Sequence, residues 1–229
     1  MKIGGFQKVS LIDYPGRISA VVFTRGCNFR CPYCHNPELV DPERFTDLIP
    51  EPEILSFLEK RRGRLDAVVI TGGEPTLQPE LLPFVIHLRA MGYRIKLDTN
   101  GALPEVIEEM LGRRLLDYIA MDIKAPLGKY GEATGVKADG RRITRSISLI
   151  MGSGIEYEFR TTAVRSFLAP PDFEEIGRLI AGAKRFVLQR FVPTRTLDRS
   201  CLGAATYSDN ELKAIVGKLG SIVERATQR

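Results

Sequence analysis

Ile18-Ser19-Ala20-Val21-Val22-Phe23-Thr24 runs directly into Arg25-Gly26-Cys27-Asn28-Phe29-Arg30-Cys31-Pro32-Tyr33-Cys34-His35-Asn36. The first seven residues form a short, largely apolar run, the pattern of a strand buried on both faces of a parallel sheet. The polar loop that follows therefore lies at the strand's carboxyl end. Three of the four cysteines fall in this loop, spaced Cys-x3-Cys-x2-Cys. Soft thiols crowded on a short loop are a metal-site pattern. A four-iron cube takes four ligands, so three cysteines leave one iron for a ligand that is not protein.

Working outward, residues 1–17 read as a β-ribbon turned at Asp13-Tyr14-Pro15-Gly16, because a Pro-Gly pair between apolar runs is turn chemistry. After the loop, strands and helices alternate. The expected strands are 66–71, 93–99, 118–123, 156–164 and 185–192, the last of the chain. The expected helices are 53–61, 79–91, 104–112, 141–151 and 172–182, several opening at a proline, which a first helical turn tolerates. A looser loop covers 126–140, and a helix from Ser208 to about Ala226 closes the chain. This alternation predicts an α/β fold with right-handed crossovers, a partial (βα)6 TIM-like barrel with an N-terminal β-hairpin and a C-terminal helix. A flat doubly wound sheet is the alternative, and either architecture places function beyond the carboxyl ends of the strands. At 229 residues the chain is expected to be one domain: hairpin 1–17, partial barrel 18–192, extension 193–229.

Composition narrows the function classes. The excess of 33 basic over 28 acidic residues is modest and scattered, without the aromatic interleaving of a nucleic-acid surface, so no nucleic-acid partner is expected. A basic face would suit an acidic protein partner or an electron donor. The amino terminus lacks signal-peptide features and no apolar run approaches a membrane span, so a cytoplasmic location is expected. Three clustered cysteines and one distant, Cys201, do not make a disulfide framework and suit a reducing compartment.

The later strands also end in polar or glycine-rich chemistry. The second supplies Thr71-Gly72-Gly73-Glu74-Pro75, where glycines admit close backbone approach and Glu74 offers an acceptor for an ammonium. The third supplies Asp98-Thr99-Asn100-Gly101, suited to ribose hydroxyls or a carboxylate. The fourth supplies Asp122-Ile123-Lys124, whose outer residues are two apart and share a face; the fifth carries Arg160, a cation for a carboxylate or ribose. Singly, each is compatible with an ordinary turn or a local ion pair. His35 beside Cys34 would allow a three-cysteine, one-histidine zinc site, but adjacent residues converge poorly on one tetrahedral ion, and zinc leaves the later strand ends unexplained. Cys201 reads as a stray thiol and His87 as a surface or packed side chain. The stretch Phe191-Val192-Pro193-Thr194-Arg195-Thr196-Leu197-Asp198 is placed to meet substrate but matches no motif.

The cysteine spacing, the aromatic Tyr33 before the last cysteine and Gly72-Gly73-Glu74-Pro75 after the next strand resemble the radical S-adenosylmethionine (SAM) superfamily. Asp98-Thr99-Asn100-Gly101 and Asp122-Ile123-Lys124 further resemble the glycyl-radical-enzyme activases. Lys8-Val9-Ser10-Leu11-Ile12-Asp13-Tyr14-Pro15-Gly16 and Cys34-His35-Asn36-Pro37 look most like the anaerobic ribonucleoside-triphosphate reductase-activating proteins. The resemblance implies that Cys27, Cys31 and Cys34 hold one [4Fe-4S] cluster whose fourth iron takes the amino and carboxylate groups of SAM. Gly72, Gly73 and Glu74 would bind the methionine ammonium, Asp98, Asn100, Asp122, Lys124 and Arg160 the ribose and carboxylate, and Tyr33 would lie near the adenine. It further implies reductive SAM cleavage to a 5′-deoxyadenosyl radical, a glycyl-radical enzyme as partner, and a flavodoxin- or ferredoxin-type electron donor. A radical SAM enzyme acting on a small molecule, such as a 7-carboxy-7-deazaguanine synthase, shares the size and the first two motifs.

Overall fold

A computed structural model describes all 229 residues. The strands are β1 (Ile3–Ser10), β2 (Ser19–Thr24), β3 (Ala67–Gly72), β4 (Arg94–Thr99), β5 (Tyr118–Asp122), β6 (Glu156–Ala163), β7 (Phe186–Arg190) and β8 (Ala226–Gln228). They follow one another in the sheet in chain order. The pairs β2–β3, β3–β4, β6–β7 and β7–β8 are parallel, and β1 runs antiparallel to β2. A doubly wound sheet would reverse its order part-way along, so the sequential order is that of a (βα) barrel wall. The helices are α1 (Pro37–Val40), α2 (Glu51–Glu59), α3 (Leu81–Ala90), α4 (Pro104–Gly112), α5 (Tyr130–Thr134), α6 (Gly140–Met151), α7 (Pro170–Leu179) and α8 (Asp209–Leu219). None is long and apolar enough to cross a membrane.

The chain is woven into two compact units. One takes Met1–Asn28, Glu38–Thr99 and Glu105–Ile119, the other Phe29–Pro37, Asn100–Pro104 and Ala120–Arg229. In the first, Ala20, Val21 and Val22 of β2, Val68, Val69 and Ile70 of β3, and Ile95 and Leu97 of β4 are fully buried. Each large aliphatic among them contributes roughly 1.5–3 kcal/mol on leaving water. Ile54 and Leu58 of α2 and Phe84, Val85 and Leu88 of α3 bury the helices' apolar faces. In the second unit, Phe159 of β6, Phe186 to Leu188 of β7, Ile143 and Ile150 of α6, and Phe173 and Ile176 of α7 make the core. Gly177 lets α7 and α8 approach closely, since a Cβ there would meet Leu219 Cδ2 at 2.6 Å.

Three expectations are corrected. The hairpin does not close within residues 1–17: β1 pairs with β2 itself, Ile3 opposite Thr24 and Ser10 opposite Ser19, so the Asp13–Gly16 turn links the ribbon to the first parallel strand. The loop 126–140 contains α5, which ends at Gly135 with φ +67°. The last helix stops at Leu219, ahead of Gly220 rather than near 226, and residues 226–228 become β8, so β7 is not the last strand. The helix start is as the sequence suggests, with Ser208 N–H and Oγ donating to Glu211 Oε2 at 2.8 and 2.7 Å.

Candidate active site

In the first unit the root of the cysteine loop is built against the end of β3. Gly73 N–H donates to Thr24 O (2.9 Å), Glu74 N–H to Gly26 O (2.8 Å), and Gly26 N–H to Leu39 O (2.7 Å). A Cβ on Gly73 would stand 2.1 Å from Gly26 O, and one on Gly72, at φ +120°, 2.3 Å from Thr24 N. The glycine pair thus seats the backbone that leads to Cys27. Gln78 locks the same root, donating through Nε2 to Arg25 O (3.0 Å) while its Oε1 accepts from Lys2 N–H (3.1 Å).

Glu74 is only 1% exposed. Its Oε1 accepts from Thr76 N–H (3.1 Å), Thr76 Oγ1 (2.6 Å) and Thr99 Oγ1 (2.7 Å), so the carboxylate ties the ends of β3 and β4 together. Asp98 Oδ1 accepts from Lys96 Nζ at 2.6 Å, and the Lys96 side chain is 3% exposed. A buried ammonium of this kind survives only with a partner. Lys96 was not singled out in the sequence, although Lys96 and Asp98 stand two apart on one strand, as Asp122 and Lys124 nearly do.

In the second unit Cys31 is 7% exposed and Cys34 is half-buried. Cys34 N–H donates to Cys31 O (3.0 Å), closing a tight turn. Burial pushes the Cys31 thiol up to about 11, against the lowering pull of the Lys124 ammonium. Tyr33 is buried against Phe167 (centroids 5.5 Å) and Phe191 (6.3 Å), and burial raises its phenol. His35 lies outside any such turn: its ring stacks on Phe191 (5.4 Å, 2° between planes) and its Nε2 donates to Val192 O at 3.0 Å. Facing a carbonyl, Nε2 carries the proton.

Asp122 joins two cations, accepting from Lys124 Nζ (3.0 Å) and Arg160 Nε (2.9 Å). Burial opposes its ionisation, yet Arg160 and Lys124 together hold the carboxyl far below the usual carboxylate range. Burial likewise opposes the Lys124 charge, and Asp122 foremost keeps its pKa well above the ordinary ammonium value. The Tyr130 hydroxyl bridges the strand end, accepting from Lys124 N–H (3.4 Å) and donating to Asp122 O (3.5 Å). Asn100 turns its Oδ1 onto Ala102 N–H (2.9 Å), an Asx turn, and Gly101 follows at φ +74°, where a Cβ would also meet Met121 Cε at 2.1 Å.

The Radical SAM superfamily sequence pattern matches residues 21–180. The chain belongs to the radical SAM superfamily. Among curated relatives of this radical SAM enzyme, a Methanocaldococcus jannaschii protein named as a candidate glycyl-radical enzyme activating enzyme is 34% identical over 97% of this chain and 92% of its own length. The 7-carboxy-7-deazaguanine synthase of Rhodospirillum rubrum is 43% identical, over 39% of this chain and 37% of its own. Streptococcus suis SuiB, solved bound to S-adenosylmethionine, superposes with a TM-score of 0.68 at 15% identity, over 89% of this chain and 48% of SuiB. This chain spans about half the length of SuiB, and at that identity the likeness is one of fold; it agrees with the α/β partial barrel.

The superfamily implies SAM and a [4Fe-4S] cluster, and the donor chemistry fits. No cysteine is tied into a disulfide, and the loop bearing three of them is rooted in a backbone seat that only glycine allows. In the metal-free chain no three His, Cys, Asp or Glu side chains stand in metal-holding geometry.

Proposed function

We propose that this radical SAM enzyme is an activase that installs a glycyl radical on a large partner enzyme, anaerobic ribonucleoside-triphosphate reductase. The observation that carries the reading is the likeness to a glycyl-radical enzyme activating enzyme along 97% of the chain. The likeness to 7-carboxy-7-deazaguanine synthase is confined to 39% of the chain, so chemistry on a small molecule is the less supported reading.

When bound, the cluster and SAM would supply reductive cleavage of the sulfonium and, through it, the radical chemistry to take a hydrogen atom from a glycine of the partner. The chain's own residues do the rest. Cys27, Cys31 and Cys34 provide three thiolates, and the buried position of Cys31 keeps water from that ligand. Gly72, Gly73 and Glu74 are assigned the methionine ammonium, with the Glu74 carboxylate pre-oriented by Thr76 and Thr99. Asp122, Lys124 and Arg160 sum to one net positive charge, which suits the SAM carboxylate, while Asp98 and Asn100 are assigned ribose hydroxyls. Tyr33, packed on Phe167 and Phe191, makes a dry aromatic wall for the adenine. A net charge of +5 suits an acidic electron donor of the flavodoxin or ferredoxin type in a reducing cytoplasm.

Anaerobic reconstitution is expected to give about four irons per chain. With SAM and dithionite the chain should release 5′-deoxyadenosine, and Cys31→Ala should release none. Release that persists unchanged in Cys31→Ala would overturn the assignment.

A further inference from the structure

The Cys31–Cys34 stretch is fastened at three places within its own unit. Arg30 N–H donates to Thr134 O (2.7 Å), Asp198 N–H to Pro32 O (2.9 Å), and His35 Nε2 to Val192 O (3.0 Å). Two of the three fastenings come from the segment after β7, which the motifs leave unexplained. Both grip a residue adjoining a cysteine, Pro32 next to Cys31 and His35 next to Cys34. A further cysteine-flanking contact is aromatic: Phe191, 1% exposed, lies under the His35 ring and meets Tyr33 edge-on at 79°. A loop of eight residues carrying three thiols has no internal core, so its conformation is set by such outside contacts.

We propose that His35 is a positioning residue. Through Val192 O and the face of Phe191 it latches the Cys31–Cys34 turn, which carries two of the three thiols, to the strap Phe191–Asp198. The purpose rests on the cluster reading above; the latch is a property of the metal-free chain. Its ring does two separable things. The imidazole face covers Phe191, and the Nε2–H fixes the Val192 carbonyl.

The two parts are separated by His35→Phe, which keeps the stack and removes the donor, and His35→Gln, which keeps an N–H donor and removes the ring. In the full-length, reduced, metal-free chain, alkylation of Cys31 and Cys34 by iodoacetamide, read peptide by peptide in a mass spectrometer, reports opening of the turn. His35→Phe is expected to raise the rate about fivefold, the equilibrium factor for one lost hydrogen bond, and His35→Gln to restore part of the protection. Loss of iron to a chelator from the reconstituted protein should follow the same order. Unchanged alkylation and iron loss in His35→Phe, beside a wild type that holds iron, would overturn the latch. So would acceleration that merely tracks a lowered urea midpoint, since the turn would then open only with the whole chain. A wild type that holds no iron overturns the cluster reading and the role given to His35 with it.

Discussion

Gly73→Ala tests the seat of the cysteine loop. The added Cβ would lie 2.1 Å from Gly26 O, 2.7 Å from Gly26 C and 3.2 Å from Leu39 O, where ordinary contact begins at 3.4 Å. All three neighbours are backbone, so no side chain can swing aside. The loop root must retreat by more than 1 Å from β3, and the Glu74 N–H bond to Gly26 O, 2.8 Å long, opens with it. Overpacking of this kind costs about 1–3 kcal/mol. The lost backbone bond adds about 1 kcal/mol. For a chain of this length a loss of that size lowers Tm by about 5–15 °C. Gly217→Ala is the control: Gly217 lies inside α8 with nothing within 4 Å of the new Cβ. Alanine there should stabilise by about 0.5–1 kcal/mol. Thermal melts of the metal-free proteins and iron content after anaerobic reconstitution read both effects. Gly73→Ala should melt earlier and bind well under half the wild-type iron, while Gly217→Ala melts later with full iron. A Gly73→Ala protein with wild-type Tm and iron content would refute the view that these glycines seat the loop.

Asp122→Asn leaves Lys124 and Arg160 facing each other without their shared carboxylate; since the Asp122 side chain is 27% exposed, the cost should be below that of a fully buried pair, about 2 kcal/mol at pH 7. Because the folded carboxyl is held far below its unfolded value, its contribution is fully present above about pH 4 and lost as pH falls below that. The urea midpoint of the wild type should therefore fall more steeply on acidification than that of Asp122→Asn, and parallel curves would contradict the pairing. Lys96→Met takes the ammonium from the largely buried Asp98 carboxylate and should cost about 2–4 kcal/mol. The double change Lys96→Met with Asp98→Leu should recover most of that loss in denaturant titrations, and a strictly additive pair would show that the ion pair is not the cause.

The strands β2 and β3 were legible because each is a short apolar run buried on both faces, and the carboxyl ends of β2 to β5 were legible as polar or glycine-rich punctuation. The elements that escaped lack such a signal. Ala226–Gln228 has no apolar run, and becomes a strand only because β7 offers it a parallel edge. Tyr130–Thr134 is a single helical turn enclosed between two glycine-bearing loops, too short for a 3.6-residue period to register. At the site, residue types were legible and their partners were not. Glu74 Oε1 accepts from Thr76 and Thr99, a contact that ties two strand ends together and that no local pattern encodes. The Lys96–Asp98 pair could have been found by the same two-residue rule that grouped Asp122 with Lys124. The strap that grips Pro32 and His35 from more than 150 residues away leaves no trace in spacing at all.

Under the proposed function the radical ends on a glycine of a partner enzyme. The direct measurement is electron paramagnetic resonance of the reconstituted chain incubated anaerobically with SAM, dithionite and the anaerobic ribonucleoside-triphosphate reductase of the same host. A glycine-centred doublet that grows with SAM consumed and is absent with Cys31→Ala is the predicted result. SAM cleavage that proceeds without any doublet on this or any other glycyl-radical enzyme of the host would contradict it.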